Sequence, residues 1–306
     1  MGGEARLRAC LPQLELLVVI DLYRNATGEY AHYLLPATDA FEREDINGLG
    51  VGLQHRPNIQ YTGAVVAARG ERRHERWILN RLAQVMGLVS ELDGPETHKP
   101  WGKVSHMLHS RGYRFEDLRA QRVIDFGPHQ YGRFFSEFLQ TADGRVDCCP
   151  AQFVPALDRM REIFTELAAE PPGQLKLISR RDARMMNSWL ANVPRLRTQS
   201  NTTNYLYMHP KDAAARGLVD GGAVTVRNAH GTLEVPLRVT ADLLPGVVAM
   251  PHGWGQGQTS GMRVAQRTAG ANCNRLLPTG PGSFEPLSGQ AHMTGIAVEV
   301  VPAAAK

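Results

Sequence analysis

The sequence predicts an α/β N-terminal domain with a parallel βαβ sheet, followed by a mainly β C-terminal domain that closes into a six-stranded barrel. Three observations lead to this prediction: an early strand–helix–strand pattern, an amphipathic helix that ends at Pro171-Pro172-Gly173, and six short strands after that break. We therefore divide the chain into residues 1–90 (α/β domain), 91–173 (its irregular and helical extension) and 174–306 (barrel).

The N-terminal segment carries the parallel unit. Leu14 to Ile20 is apolar and rich in branched residues, which is typical of a strand buried on both faces. Asn25 or Thr27 can begin a short helix, and "AHYLLPA" then forms a second strand that Pro36 ends. Because a connection of this kind joins parallel strands, the pattern predicts a βαβ unit.

Helices are predicted in the next part of the chain. His74–Leu88 has an apolar face and a C-terminal stop at Gly87, and Val154–Gly173 has a second apolar stripe. That stripe consists of Leu157, Met160, Phe164 and Leu167. The region from Ser90 to Ala151 is less regular, with one weak helix at "SHMLHSRG".

The barrel is predicted from short alternating segments separated by turns. They are "QLKLI", "YLYMHP", "AVTVRN", "GTLEVPLRVT", "GVVAMP" and "IAVEVV". "RNAHGTL" supplies a hairpin turn, and a short helix begins at Pro210 and ends at Gly217.

Composition limits the function classes. The net charge is +4, and the basic runs "RGERRHER" and "SRRDAR" are typical of solvated faces, with an anionic ligand as the alternative. No aromatic residues alternate with the basic ones, so we expect no nucleic-acid partner. "LLVVI" is too short for a signal peptide or membrane span, which predicts a cytoplasmic protein without a membrane span.

The cysteines indicate no metal framework. Cys10, Cys148, Cys149 and Cys273 lack C-x-x-C spacing, so we expect reduced thiols and no iron–sulfur or zinc site built from them. His106 and His109 could share a metal on a helix, but no third ligand has supportive spacing, and solvated histidines are the simpler interpretation.

Three segments could instead bind a large ligand. In "SRRDARMMNSW", Arg180, Arg181 and Arg184 offer forked donors to an anion, and Asn187 and Ser188 add neutral hydrogen bonding. The segment follows the first strand of the barrel, a position where loops commonly hold ligands. No nucleophile–base motif accompanies it.

The other two segments lie later in the barrel domain. "PHGWGQGQTSG" is glycine-rich, which allows close backbone approach to a ligand or a flexible surface loop; His252 and Trp254 favour the ligand. In "AGANCNRLLP", Asn272 and Asn274 offer paired amides that suit a purine or pterin edge, unless they only form a turn.

Together these segments resemble a known family. "SRRDARMMNSW", "MHPKDAAARGLVDGGAVTVRNAHG", "GVVAMPHGWG" and "GANCNRLLP…PLSG" occur in the order found in molybdopterin oxidoreductases of the dimethyl sulfoxide reductase superfamily, which includes formate dehydrogenases and nitrate reductases. The N-terminal part is similar to the family's third domain. The matching positions there are Thr27, Ala31, Leu35-Pro36-Ala37 and Glu42, while His32 stands where Asp is usual.

The resemblance implies a double-psi barrel and a molybdenum or tungsten ion held by two molybdopterin guanine dinucleotides (bis-MGD). It implies ten cofactor-binding residues, by motif position. They are Arg180, Arg181, Asn187, Ser188, Trp189, His252, Gly253, Trp254, Asn272 and Asn274.

The sequence also departs from the family. The family's Cys-rich start for an iron–sulfur cluster and its metal-ligand segment have no counterpart here, so no catalytic or metal-ligating residue is predicted. We expect the C-terminal portion of a larger enzyme, inactive alone, with an exposed apolar face. Its partners would be the missing N-terminal half or a companion catalytic subunit, which would hold any iron–sulfur cluster, and an electron-transfer protein. The alternative is a stand-alone pterin-dinucleotide-binding or assembly protein.

Overall fold

The computed structural model describes residues 2–48, 50–88, 102–198 and 201–304; the first part of the region predicted to be irregular, up to residue 101, lies outside them. The α-helices are α1 (Glu4–Cys10), α2 (Glu75–Val85), α3 (Gly102–His109), α4 (Phe115–Gln121), α5 (Val154–Ala168) and α6 (Pro210–Ala214). The β-strands are β1 (Val18–Asp21), β2 (Tyr33–Pro36), β3 (Asp45–Asn47), β4 (Asn58–Thr62), β5 (Val123–Asp125), β6 (Leu175–Arg180), β7 (Leu206–Met208), β8 (Ala223–Asn228), β9 (Gly231–Val239), β10 (Val247–Pro251) and β11 (Ile296–Pro302).

The chain forms two compact units. The barrel unit comprises Met1–Leu17, Arg24–His32 and Cys148–Lys306, and the small-sheet unit comprises Val18–Tyr23 and Tyr33–Asp147. The barrel unit therefore includes segments from both ends of the chain. The predicted domain boundaries at residues 90 and 173 stay predictions.

All six predicted barrel strands are present, and they form a closed barrel in the order β10-β6-β11-β8-β9-β7. β6 and β10 are parallel neighbours, with Met250 opposite Ser179 and Pro251 opposite Arg180. The segments that follow these two strands therefore leave the barrel side by side. The barrel interior contains alternate residues of each strand, as a period-2 pattern requires. Examples are Val224 and Val226 of β8, and Leu233, Val235 and Leu237 of β9.

The predicted parallel pairing of the first two strands is confirmed, with Val19 of β1 opposite Leu34 of β2. The short helix predicted between them is a 3₁₀ turn at Gly28–Tyr30. The predicted burial of the first strand on both faces is wrong. β1 has a single strand neighbour, and no residue of Val18–Asp21 is buried. Leu14 and Leu16, which precede β1, are exposed as well.

A second, antiparallel sheet of β3, β4 and β5 was not predicted. Two of its strands have only three residues, too few to establish an alternating pattern. The sheet packs with α3 and α4 around a core of Ile46, Ile59, Tyr61, Leu108, Leu118 and Ile124. α4, and α1 at the N-terminus, were likewise not predicted.

The helix α5 confirms the amphipathic prediction, but its apolar stripe lies in solvent. Leu157, Met160, Phe164 and Leu167 are between 44% and 73% exposed, and none of the 15 residues of the helix is buried. The predicted exposed apolar surface is therefore present on this helix. Among the described residues, no helix combines the length and the hydropathy needed to cross a bilayer.

Candidate functional site

Three segments far apart in sequence converge on one cavity of about 540 Å³ beside the ends of β6 and β10. Eight of the ten predicted cofactor-binding residues line it: Arg181, Asn187, Ser188, His252, Gly253, Trp254, Asn272 and Asn274. Barrel side chains such as Leu177 and Met250 complete the wall. The parallel pairing of β6 with β10 explains the convergence, because the segments that follow both strands begin at the same end of the barrel.

The other two predicted residues do not line this cavity. The guanidinium of Arg180 stacks 4.1 Å from the ring centroid of Tyr207, and Trp189 is 75% exposed. Arg180 ends β6, so its side chain points away from the side on which Arg181 begins the loop.

A hydrogen-bond chain joins two of the three segments. Arg181 donates to Asn187 Oδ1 at 2.5 Å, His252 Nε2 lies 2.9 Å from the same oxygen, and His252 Nδ1 lies 3.0 Å from the hydroxyl of Ser179. Burial and the charge of Arg181 lower the pKa of His252, while the carbonyl of Arg180 opposes them. The chain fixes the imidazole in the cavity wall and favours its neutral form.

The backbone has positive φ angles where "SRRDARMMNSW" meets "PHGWG". Met186 and Asn187 are in the left-handed region, with φ of 44° and 60°, and Gly253 has φ of 93°. A Cβ built on Gly253 would collide with the carbonyl oxygen of Asn187. Gly253 is therefore required by close backbone approach as well as by its φ, which argues against a simply flexible loop.

A buried amide supports the third segment. Asn204 is 1% exposed; its Nδ2 donates to the carbonyls of Pro251 and Ala271 at 3.0 Å, and its Oδ1 accepts from Ala271 N at 3.0 Å. Asn272 Oδ1 in turn accepts from the backbone N–H of Asn274 at 3.1 Å. Asn204 was missed by sequence reasoning, because one Asn among polar neighbours carries no signal of burial.

Trp254 contributes a buried donor. The side chain is 2% exposed, and its Nε1–H has no hydrogen-bond partner among the described residues. The guanidinium of Arg197 lies 5.2 Å from the ring centroid, so one face of the indole is occupied. A buried N–H without a partner costs free energy unless something outside the described chain accepts from it.

The thiol in the cavity wall is held in its protonated form. Burial raises the pKa of the Cys273 thiol to about 11, so this cavity residue is protonated at neutral pH and does not act as a thiolate. Across residues 2–48, 50–88, 102–198 and 201–304, no three His, Cys, Asp or Glu side chains cluster as metal ligands do. His106 and His109 lie on α3, in the small-sheet unit.

A wider concavity of about 670 Å³ on the barrel wall is a weaker candidate, although it is larger. Its charged side chains are paired with one another: Arg227 binds Glu299 at 2.8 and 2.9 Å, and Lys176 binds Glu170. None of the predicted site residues lines it. Paired charges leave little to attract a ligand, so the cavity beside β6 and β10 is favoured.

The fold and this cavity define a six-stranded barrel protein with a polar, donor-rich cavity at one barrel end. Comparison with protein families identifies its relatives: residues 3–85 match "Molybdopterin oxidoreductase", and residues 175–295 match "Molydopterin dinucleotide binding domain". The chain belongs to the molybdopterin oxidoreductase family. The cavity lies in the part that matches the dinucleotide-binding domain.

Individual relatives are remote in sequence. The chain is 27% identical to a putative dimethyl sulfoxide reductase catalytic subunit of Halobacterium salinarum, with 80% of this chain and 30% of the relative covered. It is 26% identical to the biotin sulfoxide reductase of Cereibacter sphaeroides, covering 81% and 36%, and 23% identical to the thiosulfate reductase subunit PhsA of Salmonella typhimurium, covering 87% and 37%.

A solved structure shares the fold. Acetylene hydratase from Pelobacter acetylenicus superposes with a TM-score of 0.72 at 22% identity, over 99% of this chain and 42% of that one. The chain thus spans about a third of the length of the curated relatives it matches.

Proposed function

We propose that this chain binds part of a molybdopterin guanine dinucleotide cofactor in the cavity beside β6 and β10. The convergence of "SRRDARMMNSW", "PHGWG" and "ANCN" on one cavity carries the proposal. The residues fit such a group: Arg181 supplies a charged donor, Trp254 an unpartnered buried N–H, and Gly253 a backbone without a side chain. The family match at residues 175–295 supports the same ligand.

Different residues of the cavity would bind different parts of the cofactor. Arg181 would bind an anionic part through its forked donors, and the amides of Asn187, Asn272 and Asn274 would bind polar edges of the heterocycles. His252 is held neutral in the wall, which keeps a second positive charge away from Arg181. Cofactor chemistry in the intact enzyme would be oxygen-atom or hydride transfer at molybdenum or tungsten.

The finer family features belong to the same proposal. We assign the barrel to the double-psi class, which the parallel pairs β6–β10 and β7–β9 in an otherwise antiparallel barrel support. A second dinucleotide, the metal ligand and an iron–sulfur cluster would come from protein that this sequence does not contain. The relatives' names support such partners, because two of those above are called subunits.

The proposal is tested by cofactor content, with no need for activity. The chain is expressed in a host that makes the guanine dinucleotide cofactor and purified, and bound ligand is released by denaturation. We expect guanine nucleotide and a fluorescent oxidised pterin in equal amounts. Arg181→Gln should lower both at least tenfold, because one charge-assisted bond is worth about 1.5–3 kcal/mol.

Arg227→Gln is the matched control, since Arg227 lies on the same barrel but pairs with Glu299 outside the cavity. It should retain the wild-type ligand content. Protein that carries neither pterin nor guanine nucleotide after such expression would refute the proposed function.

A further inference from the structure

We propose that Ser179 is a positioning residue whose hydroxyl favours the Nε2–H tautomer of His252. His252 and Arg181 then both donate to Asn187 Oδ1 and use its two lone pairs. Asn187 is left with only its NH₂ group to offer to a ligand. The cavity therefore accepts a ligand edge made of hydrogen-bond acceptors. The statement about the ligand rests on the proposed function; the statement about Ser179 concerns the free protein.

The orientation of the Asn187 amide follows from Arg181. A guanidinium has donors and no acceptor, so the amide atom 2.5 Å from Arg181 Nη1 must be the oxygen. His252 Nε2 lies 2.9 Å from that same oxygen. Two groups can approach one carbonyl oxygen at these distances only if both donate, so His252 must carry its proton on Nε2.

The tautomer of His252 then determines the role of Ser179. A neutral imidazole with a proton on Nε2 has a lone pair on Nδ1, and Ser179 Oγ lies 3.0 Å from it. The hydroxyl therefore donates to Nδ1. Because Ser179 precedes the end of β6 and His252 directly follows β10, the parallel pairing of these strands sets this contact.

The same argument applies to Asn272. Its Oδ1 accepts the backbone N–H of Asn274, so the amide oxygen is used and the NH₂ group is left. Among the described residues, no hydrogen bond uses the Nδ2 atoms of Asn187 or Asn272, and Trp254 Nε1 has no partner either. The three residues that carry these donors line one cavity together with Arg181.

A donor-lined wall selects ligands by the direction of their hydrogen bonds. Carbonyl oxygens, unprotonated ring nitrogens and phosphate oxygens suit it, whereas an exocyclic amino group facing Asn187 would place donor against donor. Guanine presents two adjacent acceptors, N7 and O6, while adenine pairs N7 with an amino group. The acceptor that faces Asn187 thus belongs to a heterocycle or to a phosphate, and the two sources can be separated by experiment.

The first experiment tests Ser179 in the ligand-free 306-residue chain. Protein with ¹⁵N-labelled histidine is studied by long-range ¹H–¹⁵N correlation NMR, and His252→Gln identifies the His252 signals. We expect a protonated Nε2 and an unprotonated Nδ1. Ser179→Ala should shift the balance towards the Nδ1–H tautomer, although Asn187 Oδ1 still favours Nε2–H, and it should raise the pKa of His252, because the lost hydrogen bond favours the neutral ring. Ser179→Thr, which keeps a hydroxyl, should restore the wild-type spectrum.

Thr232→Ala is the control, since Thr232 is exposed on β9 outside the cavity. It should leave the His252 signals unchanged. A protonated Nδ1 in the wild type, or an identical His252 spectrum in Ser179→Ala, would overturn the role of Ser179.

The second experiment tests the polarity of Asn187 by calorimetric titration with GDP. Asn187→Asp keeps an oxygen for Arg181 and His252 but replaces the NH₂ group with an acceptor, and aspartate also tolerates a φ of 60°. We expect it to weaken GDP binding at least tenfold. Guanosine and pyrophosphate are then titrated separately into both proteins, and the one whose affinity falls in Asn187→Asp identifies the source of the acceptor that faces Asn187.

Ser188→Asp adds the same negative charge at the adjacent cavity residue and serves as the control. A smaller loss there supports a directional effect at Asn187. Equal losses in the two variants, or full GDP affinity in Asn187→Asp, would refute it. Wild-type protein that does not bind GDP contradicts the ligand selection and the proposed function together, while the histidine spectrum still decides the role of Ser179.

Discussion

The carbonyl oxygen of Asn187 occupies the space in which a side chain on Gly253 would begin. Asn187 is itself in the left-handed region, and its side chain accepts from His252, the residue before Gly253. Backbone and side chain of one residue thus hold the glycine-rich segment against the arginine-rich one. This contact gives the cavity its shape.

Gly253→Ala should therefore be far more costly than an ordinary glycine replacement. Gly221 has a similar positive φ of 77° but no atom near its would-be Cβ, so Gly221→Ala isolates the conformational strain, about 1–2 kcal/mol. We expect Gly253→Ala to lose at least about 2 kcal/mol more in urea denaturation followed by circular dichroism. Equal losses for the two variants would show that the backbone of Asn187 moves aside easily.

Asn204→Asp should loosen the loops around the cavity. Aspartate accepts from Ala271 N but cannot donate to the carbonyls of Pro251 and Ala271, which leaves two buried acceptors unpaired at about 1–3 kcal/mol each. Asn201→Asp is the matched control, because Asn201 donates one bond, to Leu196 O. Hydrogen exchange at residues 251–274 should rise only in the Asn204 variant; unchanged exchange there would refute the anchoring role.

The barrel could be predicted from the sequence, but the antiparallel sheet of β3, β4 and β5 could not. Several barrel strands alternate buried and less buried residues over enough positions to show their period, as "GTLEVPLRV" does in β9. β10 is instead a continuous buried run from Val248 to Pro251. β3 and β5 have three residues each, and β5 pairs with β4 across a long intervening stretch of chain. Short strands stabilised by tertiary contacts leave no local signal.

The candidate site was predictable in its residue types and only partly in its geometry. Arginine, amides and glycine identified the three segments. The position of Arg180 on Tyr207 depends on the registers of β6 and β7 with β10, which lies between them, and composition does not specify these registers. Ser179 and Asn204 were missed for the same reason, because a single Ser or Asn becomes significant only when its partners are known.

Cys273 should be the slowest thiol to react. It is buried with its pKa raised to about 11, whereas Cys10, Cys148 and Cys149 are exposed. Because the thiolate is the reactive form, a disulfide reagent at pH 8 should modify three thiols in native protein and the fourth only after denaturation. Cys273→Ser in the native protein should leave the fast count unchanged. Fast modification of all four would contradict the burial of Cys273.

The barrel unit should lose stability as the pH falls below 6.5, the ordinary pKa of histidine. The folded-state pKa of His252 is lowered, so the unfolded chain binds the proton more readily and protonation favours unfolding. This contribution is fully present above 6.5 and disappears towards the lower folded pKa. His252→Gln should flatten the pH dependence of the unfolding free energy in that window; an unchanged slope would show that other groups cause it.

The apolar stripe of α5 should contribute little to the stability of this chain. Leu167 is 50% exposed, whereas Leu237 of β9 is fully buried in the barrel. Leu→Ala at the two positions therefore compares the same substitution at an exposed and at a buried site. Leu237→Ala should cost about 2–5 kcal/mol in urea denaturation, and Leu167→Ala less than about 1 kcal/mol. A large cost at Leu167 would mean that α5 is covered in solution, and sedimentation would then distinguish self-association from packing within one chain. A small cost leaves an unpartnered stripe of large apolar side chains, of the kind that marks contact surfaces.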